Sequence, residues 1–223
     1  MDRPLLPRRR NAVTVLFDYF RSSASYRVRI ALNLKGVDYE RVPVPLLEGA
    51  HREESYRARN PQGLVPTLEI DGHRLSQSLA IIDYLDSTRP EPPLLPKDPA
   101  DAAHVRALAL AIACDIHPLN NLRVLKHLSA PLGQPEEVRG QWARHWILEG
   151  FAALEAMAAS RAGRFLFGDT PTLADICLVP QMYNARRVET PLDAFPTLTR
   201  ADAEACALEA FAAAHPDAIA SAT

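Results

Sequence analysis

Between Pro90 and Pro99 the chain carries five prolines, at positions 90, 92, 93, 96 and 99. Such density removes backbone donors and fixes φ, so it fits neither a helix interior nor a central strand. It reads as a stiff linker that divides the 223 residues into parts of different pattern. Ahead of it, short apolar runs alternate with helical ones. Behind it, alanine-rich helical patterns follow one another, and no convincing strand or internal repeat stands out.

In the front part, Val13 to Phe20 reads as a buried strand and Tyr26 to Lys35 as a helix ended by Gly36. Asp38 to Val44 is a second strand, placed at a sheet edge by Pro43 and Pro45. Leu46 to Asn60 reads as a loop with a short helix. Leu64 to Ile70 is a third strand, Asp71-Gly72 a tight hairpin turn, His73 to Leu75 a fourth strand, and Gln77 to Thr88 a helix. The order β-α-β-α-β-β-α implies a parallel crossover followed by an antiparallel hairpin, the thioredoxin-like arrangement. Behind the linker, Asp101 to Leu128, Pro135 to Ala159, Thr172 to Asn184 and Arg200 to His215 read as helices. The expected class is α/β plus all-α: a basic tail over 1–11, a thioredoxin-like domain over 12–91, the linker over 92–99 and an all-helical domain over 100–223.

Charge and cysteine usage narrow the partners. With 25 basic and 27 acidic residues the net charge is −2, without the basic excess of a nucleic-acid protein. No apolar run approaches the roughly 18 residues of a membrane span. The head around Arg8-Arg9-Arg10 lacks the apolar core of a secretion signal. Cys114, Cys177 and Cys206 are odd in number, dispersed and without metal spacing. Their apolar helical surroundings predict buried, reduced thiols and a cytoplasmic location.

Chemistry concentrates at Arg21-Ser22-Ser23-Ala24-Ser25-Tyr26-Arg27, where a strand gives way to a helix. The first turn of a helix offers unpaired N–H groups and partial positive charge, so serines there either cap it or help hold an anion. Gln77-Ser78 repeats the pattern at the next helix start, and Val65-Pro66-Thr67 opens the third strand with a plain edge proline or a cis bond. A cis bond would present the Val65 backbone to a peptide-like ligand. Pro118 should kink the helix 101–128, and His117 and Asn121, four apart, share a face. Thr172 and Asp175 have the spacing of a capping box, a folding role.

The run Ser22 to Gly36, together with Asn60-Pro61-Gln62-Gly63-Leu64-Val65-Pro66-Thr67-Leu68, Gln77-Ser78-Leu79-Ala80-Ile81-Ile82, Gly168-Asp169-Thr170-Pro171-Thr172-Leu173-Ala174-Asp175 and Leu178-Val179-Pro180-Gln181, resembles the zeta-class glutathione transferases over about residues 13 to 215. That family includes maleylacetoacetate isomerase and maleylpyruvate isomerase. The resemblance implies glutathione as coenzyme and an unsaturated dicarboxylic acid as substrate. It implies a cis–trans isomerisation by thiolate addition, bond rotation and elimination. Maleylacetoacetate, from tyrosine and phenylalanine breakdown, is the first substrate implied. Maleylpyruvate and α-haloacids are the alternatives, and a fold kept without chemistry is a third class.

By the same resemblance Ser22 would hydrogen-bond the sulfur, with Ser23 and Arg21 beside it as the catalytic group. Ala24, Ser25, Tyr26 and Arg27 complete the glutathione turn. Val65 would pair with the cysteinyl backbone, Gln77 and Ser78 would take the γ-glutamyl carboxylate, and His51 the glycine end. His117, Asn121, Leu122 and Arg123 would contribute from the kinked helix. Arg21, Arg123 and Arg187 would clamp the substrate's carboxylates. The family is dimeric, which makes a homodimer the expectation. One departure stands out: Ala24 occupies the place where the family usually has Cys, so the sulfur must come from glutathione.

Overall fold

The computed structural model describes residues 13–221. The basic tail expected over 1–11 lies outside the described residues. Four short strands, β1 (Val15–Asp18), β2 (Glu40–Pro43), β3 (Thr67–Ile70) and β4 (His73–Ser76), form one sheet in the order β2-β1-β3-β4. β1 pairs parallel with β2 and antiparallel with β3, and β3 pairs antiparallel with β4. The second strand is therefore an edge, as its prolines indicated. Asp71 and Gly72 both have positive φ, 53° and 81°, which suits a two-residue hairpin turn.

Helix α1 (Ser23–Leu34) begins earlier than periodicity suggested, because Ser22 caps it through its side chain. Its apolar residues Val28, Ile30, Ala31 and Leu32 are fully buried. So are Arg27 and Arg29, which a simple amphipathic reading leaves unexplained. Arg29 donates to both oxygens of Asp18 at 2.8 and 3.0 Å, to the Phe20 carbonyl at 2.9 Å and to the Ala214 carbonyl at 3.0 Å. Arg41 adds a 3.0 Å bond to the same buried carboxylate. A buried charge persists only when paired and hydrogen-bonded. Here the pairing fixes the end of β1 and the turn that leads into α1.

After the short α2 (Glu54–Arg57) and the hairpin comes α3 (Ser78–Thr88), and then the linker. The helical part has α4 (Pro99–Leu110), α5 (Leu122–Ser129), α6 (Glu136–Ala158), α7 (Leu173–Arg187), α8 (Pro196–Cys206), α9 (Glu209–Ala212) and α10 (Pro216–Ser221). The helix expected over 101–128 is broken. A π-helical turn spans Ala111–Ile116, a 3-10 turn spans His117–Asn120, and Asn121 is extended before α5 starts. Pro118 lacks the N–H that would continue the helix. Gly150 of α6 gives the π-helical turn room, since a Cβ there would lie 2.2 Å from Ile116 Cγ1. The helix expected over 200–215 likewise divides into α8 and α9, followed by α10.

Pro99–Ser129 does have the length and apolar composition of a membrane span, contrary to the reading of the sequence. In the fold it is interrupted at Asn121, and Val105, Leu108, Ala109, Ile112 and Ile116 are buried in the core. α7 lies between the two cores: Ile176 and Val179 face the sheet domain, while Cys177, Leu178 and Met182 face the other helices. It starts with the capping box that Thr172 and Asp175 were expected to form. Burial pushes the Asp175 pKa up to about 6, although Leu166 N, Thr172 N and Thr172 Oγ1 all donate to it.

Candidate active site

Where the sheet domain meets the helices, a cleft of about 420 Å³ opens. One wall is the α1 turn. Ser22 Oγ accepts from the Ser25 N–H at 3.2 Å, which leaves the hydroxyl hydrogen to donate outward. Ser23 Oγ donates to the Pro180 carbonyl at 3.5 Å, tying the turn to α7. Arg21 donates to Tyr19 Oη at 3.0 Å and lies over the Phe20 ring at 5.2 Å, which holds its charge at the cleft mouth.

Ser25 and Tyr26 do not line the cleft, a correction to the expected turn. Each residue of an α-helix rotates by about 100° from the last, and that step points both into the core. Ser25 is fully buried, and the Tyr26 ring meets the rings of Tyr183 and His215 edge-on. Burial pushes the Tyr26 hydroxyl far above the ordinary tyrosine range.

The floor comes from the loops around β3. The Val65–Pro66 bond is cis, and both residues line the cleft with His51, Gln62 and Gly63. Gly63 has φ +60°, and a Cβ there would lie 2.9 Å from the His51 carbonyl oxygen. Only glycine satisfies both conditions without strain. Burial, helped by Arg52 and Lys126, lowers the His51 pKa. Gln77 caps α3 with φ +69°, an unusual state for a residue with a side chain. Its Nε2 donates to Gln62 Oε1 at 2.9 Å. Ser78 Oγ accepts from Arg27 Nη1 at 3.4 Å, deep between the walls.

The broken helix supplies the opposite wall. Cys114, His117, Pro118, Asn120, Asn121, Leu122 and Arg123 all line it. His117 and Asn121 meet as expected, Nε2 to Nδ2 at 3.5 Å, through the chain break rather than one helical face. Desolvation, then Arg27 and Arg123, lowers the His117 pKa to about 3. The ring is neutral at physiological pH, with Nε2 free to accept from Asn121. Asn121 also caps α5 by accepting from the Arg123 N–H at 3.1 Å. Arg187, at the end of α7, borders the cleft and lies 6.0 Å from the Tyr183 ring.

The turn, floor and opposite wall thus bring Arg21, Ser22, Ser23, Ala24, Arg27, His51, Val65, Gln77, Ser78, His117, Asn121, Leu122, Arg123 and Arg187 together. Gln62, Lys126 and the pair Asn120–Asn184, joined at 2.8 Å, were not anticipated. Gln62 sits inside the Asn60-to-Leu68 motif, which was a usable signal. Asn184 had none. Cys114 is exposed rather than buried, because the π-helical turn faces it into the cleft. Among the described lining residues six are cations, namely Arg21, Arg27, Arg52, Arg123, Lys126 and Arg187, and none is Asp or Glu. The cleft is therefore built for an anion, in a chain whose net charge is −2.

Residues 16–93 match the family described as glutathione S-transferase, N-terminal domain, and residues 135–218 match the corresponding C-terminal domain. The chain is 56% identical over 205 residues to the maleylacetoacetate isomerase of Rhizobium meliloti (strain 1021), covering 92% of this chain and 96% of that one. It superposes with TM-score 0.90 and 46% identity on the holo structure of a bacterial maleylpyruvate isomerase of the zeta class, covering 92% and 97% of the two chains. With TM-score 0.87 and 42% identity it matches a maleylacetoacetate isomerase from Methylobacterium extorquens AM1 with bound malonate and glutathione, over 91% and 96%. The chain belongs to the glutathione S-transferase family, within the zeta class that holds these isomerases.

Proposed function

We propose that this protein is a glutathione-dependent cis–trans isomerase of a small unsaturated dicarboxylic acid, with maleylacetoacetate as its substrate. The observation that carries the reading is the cleft with six cations and no carboxylate. Glutathione, itself an anion, and a diacid both suit it, whereas a general detoxification site would be apolar. When bound, glutathione supplies the thiolate that adds reversibly to the double bond and so frees it to rotate.

The residues of this chain bind and orient. Ser22 donates its hydroxyl hydrogen toward the sulfur position at the positive end of α1. Ser23 takes part indirectly, by holding the turn against α7. Val65 offers its backbone, Gln77 and Ser78 receive the γ-glutamyl carboxylate, and His51 lies toward the glycine end. Neutral His117 with Asn121 contacts cofactor or substrate without adding charge. Arg21, Arg123 and Arg187 grip the substrate's two acid ends. None of the three has an ion-pair partner among the described residues.

Maleylpyruvate is the second reading, favoured by Arg123 beside the His117-to-Asn121 turn. The Ser22-Ser23 pair and the 56% identical relative favour maleylacetoacetate. The three unpaired cysteines support a cytoplasmic setting. By the family resemblance we also propose a homodimer that joins the sheet domain of one copy to the helical domain of the other.

The test is an ultraviolet assay of both cis acids with and without glutathione. Glutathione-dependent loss of a cis acid is expected, and the larger kcat/KM names the substrate. Loss of neither acid sinks the isomerase reading. Arg187→Ala should raise KM for the diacid about tenfold, the size of one charge-assisted contact, and leave KM for glutathione unchanged.

A further inference from the structure

We propose that Cys114 is a thiol–disulfide exchange site, which takes a glutathionyl group from glutathione disulfide held in the cleft and so closes the cleft to substrate until a thiol removes it. The proposal rests on the reading of the cleft as a glutathione site. It starts from the absence of any thiol on the α1 turn, where Ala24 stands. Of the three cysteines only Cys114 lines the cleft, and it is exposed there. Burial pushes the Cys177 thiol up to about 11, and burial with the Asp202 charge pushes Cys206 to about 12, so neither offers appreciable thiolate near neutrality.

An independent feature of the facing wall points to a ligand. Arg27 is 2% exposed, lines the cleft, and keeps Nε and Nη2 without hydrogen-bond partners among the described residues. A buried guanidinium with two idle donors suits a carboxylate from the cleft. Arg27 and Cys114 line the same cleft. A glutathione disulfide anchored by one half shares the cleft with Cys114, which raises its effective concentration at that thiol.

The exchange balances without a further reactant. Cys114 releases its proton to solvent, and its thiolate attacks one sulfur of glutathione disulfide. The new S–S bond forms as the old one breaks, and its electron pair leaves with glutathione thiolate. The cysteine is oxidised and one glutathione is reduced. A second thiolate reverses the step.

The full chain is incubated with glutathione disulfide, with and without S-methylglutathione, and followed by intact mass and peptide mapping. One glutathionyl group is expected, on Cys114, removed by dithiothreitol. It should be absent from Cys114→Ser and present in Cys177→Ser and Cys206→Ser. S-methylglutathione should slow it by about tenfold or more, since the thiol would then lose its bound donor. An adduct on another cysteine, or none, overturns the proposal. If calorimetry shows S-methylglutathione bound yet the rate is unchanged, Cys114 is merely an exposed thiol and the cofactor reading survives. If S-methylglutathione does not bind, the cofactor reading falls and takes this inference with it.

Discussion

The two walls of the cleft are made by opposite means. On the sheet side, the backbone does most of the work: the start of α1, the loop at Gly63, the cis bond at Pro66 and the positive φ of Gln77. On the helical side, the backbone is a defect, a π-helical turn running into a 3-10 turn and a break, and side chains make the surface. A backbone wall offers fixed dipoles and shape, which suit a constant cofactor. A side-chain wall can change its charge and size by substitution, which suits a substrate that differs between relatives.

The largest test of this contrast is Ser22→Ala. It removes the hydroxyl donor at the start of α1, and kcat/KM should fall by about 100-fold, as for loss of a single preorganised donor. The pKa of the bound glutathione thiol should rise, read from its thiolate absorbance. An unchanged titration would show that the helix end alone suffices.

A smaller effect is expected from Gly63→Ala. The added methyl meets the His51 carbonyl at 2.9 Å in a left-handed backbone, so thermal unfolding should report a loss of about 2 kcal/mol. No loss would mean that the floor yields more readily than its geometry implies.

The helical wall gives the third effect, through pH. His117 has a pKa of about 3 in the fold against an ordinary 6.5. As pH falls, the unfolded chain takes the proton first, so stability is lost between those two values and is full above the upper one. The slope contributed is at most about 1.4 kcal/mol per pH unit. His117→Gln should flatten the stability profile there, measured by denaturant unfolding across that range. Asp175, with its pKa raised to about 6, has the opposite sign: it favours the fold as pH falls, and both proteins carry it. An identical slope in both would place His117 in water rather than in the wall.

How much of this was legible differs between the walls for a physical reason. Ser22, Gln77-Ser78 and the Asp71-Gly72 turn announce themselves, because caps and turns are settled by a few adjacent residues. The first three strands came out shorter than their apolar runs, since only paired residues count and β1 stops at Asp18, which Arg29 holds, while β4 runs one residue further, to Ser76. Pro118 signalled a disturbance in its helix, but not a π-helical turn, which needs Gly150 on a neighbouring helix to make room. The apolar neighbours of Cys114 predict burial, and its exposure follows from that turn. Arg27 and Arg29 carried no local sign of burial at all.

By itself the sequence determined the β-α-β-α-β-β-α order of the sheet domain, the capping of α1 and α7 and, through resemblance, the family. Those depend on short-range periodicity and backbone chemistry. The tertiary structure alone decided which cations face one another, that no carboxylate joins them among the described lining residues, and that Cys114 stands in the cleft while Cys177 is buried in the helical core. Residues 21, 52, 123 and 187 meet only because α1, the loop before α2, α5 and α7 converge there. No local pattern encodes that convergence: it follows from burying two hydrophobic cores against a shared helix.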